Sequence, residues 1–436
     1  QVDTIAALKA VVPASVGVGD GQQVIVSGRT GPNDGGGGVF TYNAASSATD
    51  NGATIIQPTS GTGRWLRVIA GSINAKWFGV KADGVTDDTS ALNSAISYVA
   101  GIGGGQLDIP APGCLISGQL LVNGSKVLIN GIGGRESTKL TFTYTTAAAL
   151  VVGNSLTQIS DVTFQNLWLE GTVGQTLVWS KYVRGLHFDN CRIRADRFID
   201  LGDGGSIAAV TSIFDLRNVE AFQLASSTLH FIRAYNFSGQ LDFQDTYVEG
   251  QQIAGLDGFY ASDNVQAKID HVTVQGGYFS RFRDNWSFVD ARVVNAYWTG
   301  HLSELALRNA FRFEVTSATS KSTSSVGAQY LNFTGVDVNA VGYAFYFKNN
   351  RASTGIDSVQ LTGTTFTSAS GGTTDGLAYF EGAGDYISNV NITGAQLGAT
   401  ASSASGYGLY LVGPNLRDFR VDDYLIYGGS PVWASA

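Results

Sequence analysis

Short apolar segments recur along most of the chain, and apolar and polar residues alternate within each of them. Ten such segments follow one another at an average interval of about 29 residues and start at Val162, Leu186, Phe214, Leu241, Val272, Leu305, Leu331, Val359, Val390 and Phe419. The second residue after each start is again apolar, and a period of two predicts a β-strand with one buried face. The pattern therefore predicts a repeat with one such strand in every turn of the chain.

Each of these strands is expected to end at a residue that tolerates a left-handed backbone. The fourth residue after each start is Asn166, Asn190, Asn218, Asp245, Gly276, Asn309, Gly335, Gly363, Gly394 or Asp423. Asn, Asp and Gly adopt positive φ at the least cost, so we expect a sharp corner at the same point of every repeat. A propeller blade needs four strands and about 40 residues or more. A shorter repeat with one corner fits a parallel β-helix over residues 101–436, with Asn166, Asn190 and Asn218 stacked as a ladder.

The first 72 residues follow a different pattern. They are rich in glycine, and the segments 23–27 and 39–42 have the residue types of short strands. We therefore expect residues 1–72 to form a small, separate β-rich unit.

Residues 73–100 are expected to connect this unit to the β-helix and to end in a short capping helix. One face of the helical pattern is apolar and consists of Ala91, Leu92, Ala95, Ile96 and Val99. We expect Thr86 to be the N-cap of the helix. Asp87 and Asp88 would then lie in the first turn, where the helix dipole favours negative charge.

Composition narrows the classes of partner. The chain has 27 Lys and Arg against 35 Asp and Glu, a net charge of −8, with no basic block, which argues against a nucleic-acid partner. No apolar run approaches the roughly 18 residues that a membrane span needs, so we expect no membrane segment. Cys114 and Cys191 have no metal-ligand spacing and predict buried thiols. Since no His/Cys cluster occurs at ligand spacing, we expect neither a transition metal nor another cofactor.

Three segments resemble known families. The segment 78–96, with Phe-Gly, Asp-Gly-x-x-Asp-Asp-Thr and the short helix, resembles the opening of the pectin-lyase-fold superfamily. The segment 103–134, GGGQLDIPAPGCLISGQLLVNGSKVLINGIGG, resembles the first coils of that family. The Gly-rich segment 26–68 is similar to the N-terminal region of bacteriophage tailspike proteins. The resemblance implies an all-β, right-handed parallel β-helix in a tailspike or tail fibre.

What the resemblance implies about function is a homotrimeric spike of the virion tail, extracellular, that binds and depolymerises a bacterial surface polysaccharide. The polysaccharide would be a capsule, an exopolysaccharide or an O-antigen, and the N-terminal unit would attach to the phage tail or baseplate. Two alternatives stay open. One is a receptor-binding tail fibre that recognises a host glycan without cleaving it, and the other is a bacterial, pectate-lyase-like polysaccharide lyase. The Asn-Thr-Asp and Gly-His-Gly strings of polygalacturonases are absent, which disfavours that activity.

The outward positions of the repeat place several ionisable residues on successive coils. The first and third residues after each start point outward and form two parallel columns. Their ionisable members are concentrated on three coils, and the group with its polar neighbour consists of His187, Asp189, Asp215, Arg217, Asp242 and Gln244.

Asp215 and Asp242 are the leading candidates for glycosidic-bond cleavage, with Asp189 as the alternative partner. Two acids one coil apart, at about 4.8 Å, repel each other, so one pKa rises and that residue is suited to act as a general acid. The spacing of neighbouring coils suits a retaining enzyme, whereas the diagonal from Asp189 to Asp215, about 8 Å, suits an inverting one. Arg217 would hold a substrate carboxylate or hydroxyl and His187 would tune Asp215. The alternative interpretation is a polar stripe whose acids are offset by His187 and Arg217.

Other residues are weaker candidates. Aromatic residues that would stack on sugars, or pack in the core, are Trp168, Trp179, Trp286, Trp298, Tyr247 and Tyr278. A site between the subunits of a trimer would use acids from the segments between the predicted strands, Glu249, Asp263, Asp284, Asp290 and Glu304. The string 268–271, Lys-Ile-Asp-His, is similar to a short string in pectate lyases, although four residues match often by chance.

Overall fold

The computed structural model describes residues 1–13, 17–202, 211–234, 237–262, 268–316, 327–351, 354–368, 376–398, 407–423, 425–427 and 434–435. The chain divides into two compact units, Gln1–Tyr144 with Val162–Leu169 and Thr145–Asp161 with Glu170–Ala436. We call these the first and the second unit. The predicted fold class, an all-β right-handed parallel β-helix with a small N-terminal β-rich domain and a short capping helix, is confirmed.

A four-stranded antiparallel sheet begins the first unit. Its strands lie in the order Gln23–Val26, Gly38–Asn43, Arg64–Arg67 and Ile55–Ile56. The helix Ile5–Ala10 begins after Thr4, whose hydroxyl accepts a hydrogen bond from the Ala7 amide. One face of this helix contributes to a small hydrophobic core made of Ile5, Leu8, Val26, Phe40, Tyr42, Ile56 and Trp65. The sheet has the two strands predicted near residues 23 and 39 and two more that the sequence pattern did not predict.

The glycine run before the second strand is required by close backbone contact. A Cβ atom on Gly37 would lie 2.4 Å from the Val26 carbonyl oxygen, closer than any side chain tolerates. Below this run, the buried Arg67 guanidinium donates to the Gly36 and Gly37 carbonyl oxygens and lies 4.5 Å from the Phe40 ring centroid. The run is therefore a packing feature of this sheet.

The capping helix starts later than the sequence suggests. It spans Thr89–Gly101, and Asp88, instead of Thr86, is the N-cap residue. Of the predicted apolar face, Leu92, Ala95, Ile96 and Val99 are buried and Ala91 is half-buried. The prediction of Thr86 is wrong because residues Asp83–Asp87 form an extended strand.

Both acids at the start of the helix are engaged in local hydrogen bonds. The Asp88 carboxylate turns back and accepts from the Lys81 and Ala82 amides at 2.7 and 2.9 Å. Asp87 accepts from the hydroxyl groups of Thr89 and Ser117, and these bonds lower its pKa. The pair therefore has a structural role, but the prediction that both acids lie in the first turn is wrong, because Asp87 ends the strand and Asp88 is the N-cap.

The remainder of the first unit consists of short parallel strands and a 3-10 turn, Ala75–Phe78. One stack contains Ile73–Asn74, Gly105–Ile109, Val127–Gly131 and residues 162–165 of the strand Ile159–Gln165. A second contains Asp83–Asp87, Gly113–Ile116 and Lys139–Phe142, and the unit also includes Leu120–Val122 and the first two residues of Trp168–Glu170. Asn166 donates to the Asn130 side chain at 2.9 Å, so Asn130 is a rung of a ladder that begins before the predicted one.

The second unit is a parallel β-helix with three sheets, which we call sheet 1, sheet 2 and sheet 3. Among the described residues, sheet 1 contains Val183–Asp189, Thr211–Arg217, Phe237–Gln244, Lys268–Gln275, Arg292–Thr299, Ala328–Thr334, Ile356–Thr362, Ile387–Thr393 and Phe419–Asp422. Sheet 2 contains Arg192–Ala195, Glu220–Gln223, Tyr247–Glu249, Tyr278–Ser280, Leu302–Ala306, Asp337–Ala340, Thr365–Ser368, Gln396–Gly398 and Leu425–Tyr427. Sheet 3 contains Leu150–Gly153, Thr176–Lys181, Arg197–Leu201, Ile232–Ala234, Phe259–Ser262, Asp284–Val289, Asn309–Val315, Tyr343–Asn349, Gly376–Gly382, Tyr407–Val412 and Ala434–Ser435.

Eight of the ten predicted strands are those of sheet 1; the strand that contains Val162 belongs to a stack of the first unit, and the remaining start, at Leu305, fails. Leu186, Phe214, Leu241 and Val272 pair in register on successive coils, and so do Leu331, Val359, Val390 and Phe419. These residues lie in the core, except Phe419, which is half-buried.

The start predicted at Leu305 is wrong. Val272 pairs with Ala296, which pairs in turn with Leu331, so this coil begins at Ala296 and Leu305 lies in sheet 2. The outward residues of this coil are therefore Tyr297 and Thr299, whereas the frame that starts at Leu305 implied Ala306 and Arg308. Apolar residues recur with a period of two around Leu305 as they do around Ala296, so this period alone does not distinguish the two strands.

The left-handed corner is confirmed at the end of every strand of sheet 1. The corner residues have φ between +47° and +64° and are Asn190, Asn218, Asp245, Gly276, Gly300, Gly335, Gly363, Gly394 and Asp423. Gly300 takes the place that the sequence frame gave to Asn309. Asn218 donates to the Asn190 side chain at 3.0 Å, so this step of the predicted ladder is present.

Replacing Gly363 by Val tests this corner. Gly363 has φ +58°, and no heavy atom lies within 4 Å of an added Cβ, so the cost is backbone strain without a clash. We expect Gly363→Val to lower the free energy of unfolding by about 1 kcal/mol or more, measured by denaturant titration. Gly363→Asn is the matched control and is expected to cost less, because asparagine occupies the same corner at Asn190. Equal stability of the two variants would contradict the frame.

Candidate functional site

The two outward columns of sheet 1 form as predicted over three coils. His187, Asp215 and Asp242 pair in register on neighbouring strands. One pleat further along, Asp189, Arg217 and Gln244 do the same. Because the apolar residues that alternate with these six are buried, the pleat fixes all six side chains on the outer face of the sheet.

Asp215 lies at the centre of this group and makes its closest contact with His187. Its carboxylate Oδ2 is 2.7 Å from Nδ1 of His187, and its side chain is 10% exposed. Nη2 of Arg217 lies 3.8 Å from the same oxygen. Two basic side chains therefore converge on one almost buried carboxylate.

Asp242 is the more accessible acid of the pair. Its side chain is 41% exposed, and its Oδ2 lies 4.0 Å from Nη2 of Arg217. Partial burial and, next, the charge of Asp215 raise the pKa of Asp242, while Arg217 and His271 act in the opposite direction. The two acids thus differ in environment, as a general acid and its ionised partner must.

Asp189 lies on the same face but not beside the acid pair. It pairs in register with Arg217 and so lies one coil and two residues from Asp215. Gln244 is exposed next to Arg217 on the following coil. Both residues border the pair on the outer face of sheet 1.

Tyr247 lies around the corner from this face. It follows the left-handed residue Asp245 and belongs to sheet 2, where its ring contacts Tyr278 edge to face at 5.2 Å. Trp168 belongs to the first unit, where the Lys139 ammonium lies 4.4 Å from its ring centroid. Trp286 and Trp298 are fully buried and are core residues. The structure therefore brings neither Tyr247 nor Trp168 onto the outer face of sheet 1.

The acids predicted for the segments between strands lie instead at the edges or within strands. Glu249 and Glu304 are in sheet 2, and both raise the pKa of Tyr278 after its burial does. Glu249 also forms an ion pair with Arg281 at 2.7 Å. Asp284 begins a strand of sheet 3 and is fully buried, so these three acids do not form one site.

Of the other two acids of that set, Asp290 is held in a local structural role. Asp290 accepts hydrogen bonds from the amide and hydroxyl of Thr316 at 2.7 and 2.6 Å, which is a turn-stabilising role. Asp263 lies outside the described residues.

Sequence reasoning missed a row of charged residues at the start of the strands of sheet 3. It includes Asp257, Arg283 and Arg308, which pair with partners on neighbouring coils. The signal that identifies sheet 3 is a second alternating pattern with aromatic residues on both sides of a polar one, as in Phe311-Arg312-Phe313 and Phe345-Tyr346-Phe347. The alternation that predicts sheet 1 covers one strand per coil and does not include these segments.

In the described part of the chain, no group of three or more His, Cys, Asp or Glu side chains has an arrangement suited to a metal ion. No helix in that part is both long and apolar enough to cross a membrane.

The N-terminal part of the chain matches a known protein family. Residues 1–70 match the family described as the phage tail protein small four-stranded beta-sheet domain. The N-terminal part is phage-tail-like. This agrees with the four antiparallel strands of that segment and confirms the resemblance inferred from the sequence. No curated protein matches the chain in sequence.

The whole chain is similar to several solved β-helix structures. The family 28 exopolygalacturonase of Yersinia enterocolitica is 12% identical, with a TM-score of 0.59 over 91% of this chain and 81% of that one. The gp42 tailspike of Acinetobacter phage vb_AbaP_AS12 is 11% identical, with a TM-score of 0.51 over 98% and 75%. The Agl-KA catalytic domain is 12% identical, with a TM-score of 0.52 over 86% and 71%. At these identities the similarity shows the fold.

Proposed function

We propose that this protein is a bacteriophage tailspike that binds and depolymerises a bacterial surface polysaccharide by hydrolysing glycosidic bonds. The observation that carries the proposal is the pair Asp215 and Asp242, in register on neighbouring strands, with the pKa of Asp242 raised. The phage-tail match of residues 1–70 supports a place in the virion tail. In this proposal, residues 1–72 attach to the tail or baseplate and residues 101–436 contact the sugar.

The two acids divide the chemistry between them. Asp242, whose pKa is raised above the ordinary value of an aspartate, protonates the glycosidic oxygen as the bond to the anomeric carbon breaks. In a retaining reaction, the Asp215 carboxylate bonds to that carbon, and water later displaces it with Asp242 taking the water proton. In an inverting reaction, the pair is instead Asp189 and Asp215, at the wider diagonal spacing: one protonates the glycosidic oxygen and the other takes the proton of the attacking water directly. Both schemes end with one water added across one glycosidic bond.

The basic and polar neighbours position the substrate. Arg217 lies within 4.0 Å of both acids and is more than half exposed, so it can hold a sugar hydroxyl or carboxylate as well as moderate the charge of the pair. His187 orients Asp215 through the 2.7 Å contact. Gln244 extends the binding surface on sheet 1, and Tyr247 extends it around the corner on sheet 2. Trp168 offers only one face of its ring to a sugar, because Lys139 covers the other.

The proposed reaction is tested by incubating the protein with purified capsule and lipopolysaccharide from several bacterial hosts. We expect new reducing ends without the ultraviolet absorbance of unsaturated sugars. Absorbance of unsaturated sugars would identify a lyase. Binding without either product would favour the receptor-binding tail fibre.

Arg217→Gln tests the assignment of Asp242 as the general acid. Arg217 lowers the pKa of Asp242, so its removal is expected to move the alkaline limb of the pH–rate profile to higher pH, although the maximal rate falls. Arg217→Lys, which keeps the charge, should leave the limb close to that of the wild type. An unshifted limb in the glutamine variant would assign the acid to another residue.

The spike is proposed to be a homotrimer, because trimers are what the tailspike resemblance implies. Light scattering of the chain at micromolar concentration is expected to give three times its mass of 45.9 kDa. A monomer in that experiment and in a longer version of the protein would contradict this part of the proposal.

A further inference from the structure

The outer edge of sheet 3 carries three arginine–aspartate pairs of the same geometry. In each pair, Nε and Nη2 of an arginine donate to the two oxygens of an aspartate that precedes it by one coil. Arg233 donates to Asp200 at 2.6 and 2.8 Å, and Arg283 donates to Asp257 at 2.8 and 2.7 Å. Arg308 donates to Asp284 in the same way, at 2.9 Å from Nε. We call Arg233, Arg283, Arg308 and the adjacent Arg312 the arginine row.

The acids of these pairs are buried and the arginines reach the surface. The side chains of Asp257 and Asp284 are 0% exposed, whereas those of Arg283 and Arg308 are 27% and 41% exposed. A buried carboxylate needs such a partner, because an uncompensated buried charge is very unfavourable. The bidentate contact uses the Nε and Nη2 side of each guanidinium. It therefore fixes the plane of the group, and the Nη1 side points away from the aspartate.

Arg283 and Arg308 are brought close together by the coil spacing. The amide of Arg308 donates to the Arg283 carbonyl oxygen at 2.8 Å, so these residues lie on neighbouring coils, about 4.8 Å apart. Nη1 of Arg312 lies 3.7 Å from Asp284 Oδ2. Like charges at this spacing repel, and the acids beneath them offset part of that repulsion.

The environment of His230 reports on the local field. Its ring stacks on Tyr260 at 4.3 Å and accepts a hydrogen bond from the Asp257 amide. Burial, followed by Arg283, Arg197 and Arg233, lowers the pKa of His230 to about 4. Arg283 and Arg233 therefore act on His230 more strongly than Asp284, which raises the pKa of the ring, in a chain whose net charge is −8.

We propose that the arginine row is a binding site for an acidic polysaccharide, one that carries carboxylates, and that it is separate from the acid pair on sheet 1. Exposed guanidinium groups held in fixed planes are suited to bidentate recognition of carboxylates. An acidic glycan is repelled by the negative net charge of this protein and needs such a local attraction. The inference rests on the proposed function only in taking a glycan as the ligand, and it does not depend on cleavage.

The test is a binding titration of the full chain with short oligogalacturonates and with the fully methyl-esterified form of the same oligosaccharides. The acidic form is expected to bind at least about tenfold more tightly than the uncharged form, and its affinity should fall as salt is added.

A paired substitution shows whether the arginine row is responsible. Removal of Arg308 alone leaves Asp284 buried without its partner and risks unfolding, so Arg308→Gln is combined with Asp284→Asn. This variant is expected to keep the circular dichroism of the wild type and to lose about tenfold or more in affinity for the acidic form. The matched control is Arg420→Gln with Asp422→Asn, an exposed ion pair on sheet 1, and we expect it to bind like the wild type.

Three outcomes would overturn the inference. In the first, the wild type binds both forms of the oligosaccharide equally or binds neither. In the second, the Arg308 and Asp284 variant binds the acidic form like the wild type. In the third, this variant changes only the oligomeric mass, which would make the row a contact between copies. Cleavage is assayed separately. If no polysaccharide is cleaved but the variant loses oligogalacturonate binding, the proposed hydrolase fails while the arginine row stands.

Discussion

Replacement of Asp215 or Asp242 by Asn is expected to lower the rate of polysaccharide cleavage by about 10²–10⁴-fold, the usual contribution of general acid or base catalysis. Asparagine keeps the shape of the side chain and a hydrogen-bonding oxygen, so the β-helix should remain folded and sugar binding should survive. The rate is measured as reducing ends released per unit time, and binding is measured on the same variants with the uncleaved polysaccharide.

Asp422→Asn is the matched control for these variants. Asp422 is another acid in the outward columns of sheet 1 and pairs only with Arg420 among the salt bridges of the described residues. We expect it to cleave at the wild-type rate. If both Asn variants at 215 and 242 also cleave at that rate, the site lies elsewhere, and Glu249 and Glu304 beside Tyr278 become the next pair to test.

Replacement of Trp298 by Ala is expected to lower the free energy of unfolding by about 3–5 kcal/mol, the range for a large buried aromatic residue. Trp298 is fully buried, and its ring centroid lies 4.7 Å from that of Phe333 and 5.5 Å from that of Phe311. The variant removes one layer of the aromatic column inside the β-helix. Denaturant unfolding followed by tryptophan fluorescence and circular dichroism measures the loss.

Tyr297→Ala is the control on the same strand. Tyr297 is the outward neighbour of Trp298 and is 39% exposed, so its removal is expected to cost much less. The comparison also tests the register of this coil, because the frame that starts at Leu305 does not place Trp298 in the core. A similar loss for both variants would contradict the pairing of Ala296 with Val272 and Leu331.

The repeat, its outward columns and the corners were predictable from the sequence because each has a local cause. Period two sends alternate residues to opposite faces whatever the neighbours are. Positive φ is cheap only for a few residue types, and Asn218 or Gly363 therefore marks a corner without knowledge of the fold. In a parallel β-helix, stacking of equal coils then places His187, Asp215 and Asp242 side by side.

The errors arose where a local pattern had two solutions. Around residues 296 and 305, two segments alternate equally well, and the pairing of Ala296 with its neighbours is a contact between coils. At the capping helix, Thr86 is a good N-cap by type, yet Asp83–Asp87 pairs as an extended strand with the strand Gly113–Ile116. In both places a partner distant in sequence decides the outcome.

The sequence by itself determined the β-helix and the face on which the acid pair lies, since these follow from periodicity and local residue type, and the resemblance of segment 26–68 to tailspike proteins indicated the phage-tail-like start of the chain. Only the tertiary structure decided that His187 contacts Asp215, that Glu249 and Asp284 lie on different sheets, and that Arg283 and Arg308 cover buried aspartates. Each of these contacts joins different strands or coils, and the distance between side chains depends on the whole path of the chain between them. Burial follows the same rule, because whether Asp284 is exposed is set by the coils on either side of it.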